Sequence, residues 1–177
     1  MRKQIGVLLL LTLVIASVIV YDIVKPKPIQ TTFHGVKYRL GTEHVERADP
    51  VTIRVDGRLM TSLSGKKRFA GTIRIDGIRL PVPEDQQMLD IRFKDNGVGI
   101  MRVEYLENKG KRGEGPRAFA FGSIDINEDF SAFSIAVAEQ DGSTASWNYE
   151  DGIMISAPAS SRSEAVQLTK RLRGTEE

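Results

Sequence analysis

The chain has 177 residues, 41% of them apolar, with 25 Lys and Arg against 23 Asp and Glu. That length allows one membrane segment and one packed domain of ordinary size. The absence of cysteine excludes a disulfide framework, a thiolate nucleophile, cysteine zinc sites and lipidation at a cysteine, and so even a charge balance lacks the basic footprint of a nucleic-acid binder.

The first element is the run Ile5 to Tyr21, which carries no charge and follows Arg2 and Lys3. As a helix it would span roughly 26 Å, near the lower limit for a bilayer core of ~30 Å, and Ile23 and Val24 extend it. The leading cations favour a cytoplasmic N-terminus and an exported C-terminal domain. The expected organisation is therefore a cytoplasmic tail at 1–4, a transmembrane signal anchor at 5–24, an extended linker at 25–32, and an extracytoplasmic β-domain at 33–177. A cleaved signal peptide ending at Val14-Ile15-Ala16 is the competing expectation, but the apolar run continues past Ala16. In "KPKPIQTT" alternating prolines fix φ and remove donors, which reads as a spacer.

From Phe33 onward the apolar period is two. Phe33 to Leu40 is a first strand. "TIRVDG" at Thr52 and "TIRIDG" at Thr72 differ by one Val/Ile exchange. They could be a duplicated ligand loop that offers Arg54 and Arg74, or two strands sharing a pairing requirement. An antiparallel hairpin centred on Ser64 sets Ile53 against Ile75, Val55 against Ile73, Gly57 against Gly71 and Leu59 against Phe69. Arg54 then faces Arg74, with Asp76 and Asp56 as diagonal neighbours. A slip of one residue would expose the whole apolar face of one strand, so the paired-strand reading is preferred.

In "LDIRFKDNGVGIMRVEY" a loop at Asp95-Asn96-Gly97 pairs Phe93 with Gly99, Ile91 with Met101 and Leu89 with Val103, leaving Asp90 opposite Arg102. Residues Glu107 to Arg117 contain no apolar side chain and read as a surface loop. The next hairpin is expected to pair Ile124 with Phe133, Gly122 with Ile135 and Ala120 with Val137. Phe119 and Phe121 would then lie on the opposite face with Ala136 and Ala138, and that face needs a cover. The cover is the terminal helix, at about 161–173. Ser161-x-x-Glu164 has the form of a capping box, and Ala165, Leu168 and Leu172 share a helical face. Before it, Trp147 and Tyr149 share one side of a strand, followed by an Asp-Gly turn and Ile153 and Ile155. The fold expected is all-β: an antiparallel meander of about eight or nine strands, closed as a barrel or folded as a sandwich, with one C-terminal helix and the N-terminal transmembrane helix.

Chemistry is sparse. No phosphate loop, nucleophile elbow, zinc-protease helix or dinucleotide fingerprint occurs. His34 and His44, with Glu43, Glu46 and Asp49, have no fixed metal-ligand spacing. "DINED" offers Asp125, Asn127 and Asp129 at the alternation of calcium loops, but the sixth position is Phe130 and the twelfth Ala136, so a hairpin turn accounts for it. Trp147 and Tyr149 are candidates for a stacking platform, and Arg54 and Arg74 for ligand contacts. Lys170, Arg171 and Arg173 suit a helix C-terminus. No catalytic residue, metal or cofactor is expected.

"VTIRVDGRLM", "KRFAGTIRIDGIRLP", "GSIDINEDFSAFSI" and "ISAPASSRSEAVQL", behind a short anchor, resemble a group of small, uncharacterised membrane-anchored proteins of Gram-positive bacteria. The resemblance covers most of the exported domain, rests on strand and turn patterns, and implies only a cell-envelope location. The expected function is non-enzymatic: a membrane-held extracytoplasmic domain contacting a protein or cell-wall partner, and no nucleic acid. The alternatives are a small apolar ligand inside a lipocalin-like barrel and an envelope hydrolase. The N-terminal Gly-x-Trp of lipocalins is absent.

Overall fold

The computed structural model describes residues 2–41, 48–106, 115–141, 144–148 and 150–174. A helix α1 (Arg2–Val24) leads directly into ten strands and a final helix α2 (Arg162–Arg173). The strands are β1 (Lys27–Arg39), β2 (Ala48–Thr61), β3 (Lys67–Ile75), β4 (Leu89–Arg92), β5 (Val98–Tyr105), β6 (Arg117–Ile126), β7 (Phe133–Val137), β8 (Glu139–Asp141), β9 (Thr144–Ser146) and β10 (Ile153–Ala157).

Eight of them form one antiparallel sheet in the order β4-β3-β2-β1-β10-β7-β6-β5, and β8 and β9 form a separate small ribbon. Read as a ring, that order is chain order. The last strand, β10, pairs with the first, β1, through Val36↔Ser156 to Arg39↔Ile153. The two outer strands, β4 and β5, meet at a single bridge, Phe93↔Gly99. The meander is therefore a nearly closed barrel, and closure removes most of the free edge that an open sheet would present.

The repeat that opens the domain is a hairpin. Ile53↔Ile75, Val55↔Ile73, Gly57↔Gly71 and Leu59↔Phe69 are all in register. The apolar side points inward, with Ile53, Val55, Leu59 and Phe69 buried. The glycine pair lets the two backbones approach closely, since a Cβ at Gly71 would strike the Asp56 carbonyl and the Gly57 backbone. Arg54 reaches diagonally to both carboxylate oxygens of Asp76, at 2.8 and 3.3 Å.

Four expectations are corrected by non-local contacts. The segment 27–32 is not a linker but the first half of β1, paired from Lys27↔Leu59 onward. Pro28 is tolerated because β10 begins to pair with β1 only at Val36, so the side of Pro28 away from β2 meets no ladder. The β6–β7 hairpin is shifted by two residues, to Gly122↔Val137, Ile124↔Ile135 and Ile126↔Phe133. Its loop widens because Phe130, at a positive φ of 63°, turns into the core and stacks on Phe69 at 5.0 Å. Phe121 joins the inner core beside Ile124 instead of facing out, because the β5–β6 ladder shifts register between Met101 and Arg102. Beyond the Phe93↔Gly99 bridge, β4 turns to β3 through Phe69↔Ile91 and Gly71↔Leu89. Asp90 accordingly binds Arg68, at 2.6 Å for both bonds, rather than Arg102.

Helix α2 covers the outer face of the sheet, as the small residues there require. Ala165 packs with Val36, Tyr38, Ala136 and Met154. Between helix and sheet lies a buried hydroxyl cluster: Thr169 Oγ1 meets Tyr38 Oη at 2.9 Å, Ser134 Oγ at 2.8 Å and Ser156 Oγ at 3.0 Å. Ser161 caps the helix, accepting from the Glu164 amide at 3.3 Å. The reciprocal carboxylate bond falls one residue earlier than the sequence pattern suggests, on the Ser160 amide and hydroxyl, both at 2.8 Å. Gly174 ends the helix in the left-handed conformation.

The anchor expected at 5–24 coincides with α1, yet among the described residues no helix is long and apolar enough to cross a membrane.

Candidate ligand-binding site at the barrel mouth

The barrel is sealed at the β4–β5 turn and splayed at its other end. The Lys94 amide donates to the Val98 carbonyl at 2.9 Å, and Gly97 takes the left-handed turn position at φ 78°. From there the two strands diverge. The β3–β4 ladder stops at Gly71↔Leu89, while β3 runs on to Ile75. Across the gap, β5 runs on to Tyr105, paired only with β6.

The divergence leaves a cavity of about 500 Å³. Its floor comes from the strands: Ile73 and Ile75 of β3, Leu89 of β4, Met101 of β5 and Phe121 of β6. All five are buried members of the main core. The connection between β3 and β4, residues 76–88, lies over the opening and adds Ile78, Leu80 and Val82. Its only helical turn is the short 3-10 segment Glu84–Gln86.

This connection is fastened to β5. The Gln86 side-chain amide makes two bonds to the backbone of Leu106, accepting from its amide at 2.7 Å and donating to its carbonyl at 3.1 Å. Gln87 donates to the Val82 carbonyl at 3.0 Å, holding the strap in its own bend. The polar lining consists of Arg74, Arg79, Glu84 and Gln87. An apolar floor with a few polar groups at one rim is the usual composition of a small-molecule site.

Of the three described residues among the four binding candidates singled out from sequence, only Arg74 lies on this cavity. Arg54, its partner in register, is engaged by Asp76. Trp147 is half-buried near α2. Its Nε1–H donates to the Ile153 carbonyl at 3.2 Å, and the Arg173 guanidinium sits 5.5 Å from its ring. Tyr149 lies outside the described residues, as do His44, Glu43 and Glu46. His34 is exposed, and its imidazole has no hydrogen-bond partner among the described residues.

No group of three metal-ligating side chains occurs among the described residues. The "DINED" stretch is a turn bound to itself. Asn127 Oδ1 accepts from the Ala132 amide at 3.0 Å, and Asp129 accepts from the Ser131 amide and hydroxyl at 3.1 and 2.7 Å. Those two Ser131 bonds, the hydroxyl first, hold the Asp129 carboxyl below the usual range. Asp125 is turned to the α2 side of the sheet, where it accepts from Arg173.

Sequence reasoning missed the cavity because its floor residues are ordinary core residues on four strands. The one legible signal was "IRLPVPEDQ", an apolar and proline-bearing connection too long for a tight hairpin. No protein-family model, curated protein or solved structure matches this chain.

Proposed function

We propose that this chain is a binding domain that takes a small apolar molecule into the mouth of its barrel. The observation that carries the reading is the gap between β3 and β5. A cavity of about 500 Å³ opens there onto core side chains, under a strap fixed by Gln86. Its volume is within the ~300–1,000 Å³ typical of ligand sites. The interior beyond it is filled by Phe69, Phe130 and Phe133, so a ligand would sit in the mouth rather than run through the barrel.

In this reading the domain works beside a membrane, on its outer side, with α1 as the attachment. What supports that is the uncharged run Ile5–Tyr21 behind Arg2 and Lys3. Ten large apolar side chains between Leu10 and Ile23 are also exposed, a surface that water disfavours. A membrane would supply both the cover for α1 and apolar molecules for the cavity. Among the described residues, no surface feature favours an envelope protein or cell-wall component as partner to the degree that this cavity favours a small apolar molecule.

Photolabelling of the full-length protein in phosphatidylcholine vesicles tests the reading. The probe is a neutral long-chain alcohol with a diazirine in its chain. Label is expected on the peptides containing residues 73–89, Met101 and Phe121, and excess unlabelled alcohol should remove it. Label confined to α1, with none on the barrel, would overturn the proposal.

A further inference from the structure

We infer that the ligand is an anion-headed amphiphile with a single alkyl chain, its tail on the cavity floor and its head between Arg74 and Arg79. The inference rests on the ligand-site reading above and specifies the class of ligand.

The first observation is the distribution of arginine partners. Arg54, Arg68, Arg102 and Arg173 each meet a carboxylate within the protein. Arg74 and Arg79 meet none among the described residues, nor do the exposed Arg58 and Arg171, but only Arg74 and Arg79 also line the cavity. Arg74 faces Arg54 in register, which would let Asp76 serve either one, but Asp76 gives both oxygens to Arg54. Glu84, the one acid on the lining, forms no ion pair with either arginine, so the lining carries two cations against one anion. A bound anion would offset that excess, and guanidinium forks match carboxylate and phosphate geometry.

The second observation is the chemistry of the floor. Ile73, Ile75, Leu80, Val82, Leu89 and Met101 are aliphatic, with Phe121 the single aromatic ring. Such a slot fits an alkyl chain better than a flat ring system, which would call for aromatic partners. The anionic head stays at the rim because both arginines are exposed, where a charge keeps its water.

Three diazirine probes sharing one alkyl chain test this in the full-length protein in phosphatidylcholine vesicles: a carboxylic acid, its alcohol, and its phosphate monoester. The readout is the concentration that half-saturates labelling of the 73–89 peptide. We expect an anionic probe to saturate the site at least about tenfold below the alcohol, the scale of a charge-assisted hydrogen bond. In the double variant Arg74→Gln, Arg79→Gln the ratio of alcohol to anion half-saturation should fall to about one. Because both proteins see the same vesicles, differences in probe partitioning cancel in this comparison. Whichever anion saturates first, carboxylate or phosphate, names the headgroup within the inference. Equal labelling by acid, phosphate and alcohol, or an anion advantage that survives in the double variant, would overturn the inference and leave the ligand site standing. No labelling of the 73–89 peptide by any probe would overturn both.

Discussion

Arg173, in the last turn of α2, donates its Nε–H to Asp125 on β6 at 3.0 Å, and Asp125 is only 2% exposed. The helix C-terminus is thus tied to the barrel by a charged pair, and the guanidinium also covers Trp147. A cation at the end of a helix is locally favourable in any case. The pairing decides what that cation does here, because it satisfies a carboxylate that has left water.

Removing Arg173 should therefore be costly. Arg173→Ala leaves Asp125 buried without its cation and is expected to destabilise the domain by about 3 kcal/mol, the lower end for breaking a buried pair because the arginine is partly exposed. Adding Asp125→Leu to the same chain should recover most of that loss, since the stranded charge is gone. Urea melts of the two variants check both expectations; a single variant that melts like the parent would contradict the pairing argument.

The β2–β3 hairpin gives an opposite contrast between neighbours. Ile75→Ala removes a side chain that faces Ile53 in the core and should cost about 2–5 kcal/mol. The value should lie toward the low end, because Ile75 already borders the cavity. Arg74→Ala removes an exposed charge with no ion-pair partner among the described residues and should cost less than about 1 kcal/mol. Equilibrium melts in which Arg74→Ala loses more stability than Ile75→Ala would show that the repeat is not the structural pair described.

Acid should loosen the start of α2. The Ser160 amide, and then its hydroxyl, hold the Glu164 carboxyl below its ordinary value of 4.5. A depressed carboxylate contributes stability that is present above that ordinary value and is lost as pH falls through the lower folded value. Asp90, held low first by its Arg68 hydrogen bond, and Asp129, held low by Ser131, act in the same direction. Glu164→Gln should thus lower the melting temperature at neutral pH and shrink the further drop that follows as pH falls below the ordinary carboxylate range. An unchanged drop would remove Glu164 from the acid response.

The sequence by itself determined the elements whose pairing is local. The β2–β3 register follows from alternation on both sides of one turn, where a slip would turn every apolar side chain out. The Phe93↔Gly99 bridge follows from a three-residue loop with Gly97 at its left-handed position, and α2 follows from a cap and an apolar stripe. The tertiary structure alone decided what depends on distant partners. Lys27–Thr32 became strand because β2 offers a ladder that a proline-bearing segment could not provide for itself. Phe130 entered the core in a backbone conformation its residue type disfavours, because burial against Phe69 outweighs that cost, and the β6–β7 register moved by two residues to accommodate it. The cavity is the same kind of outcome. It exists because β4 leaves β5 to follow β3, and no local pattern in "LDIRFKDNGVGIMRVEY" records which of two neighbours a strand will keep.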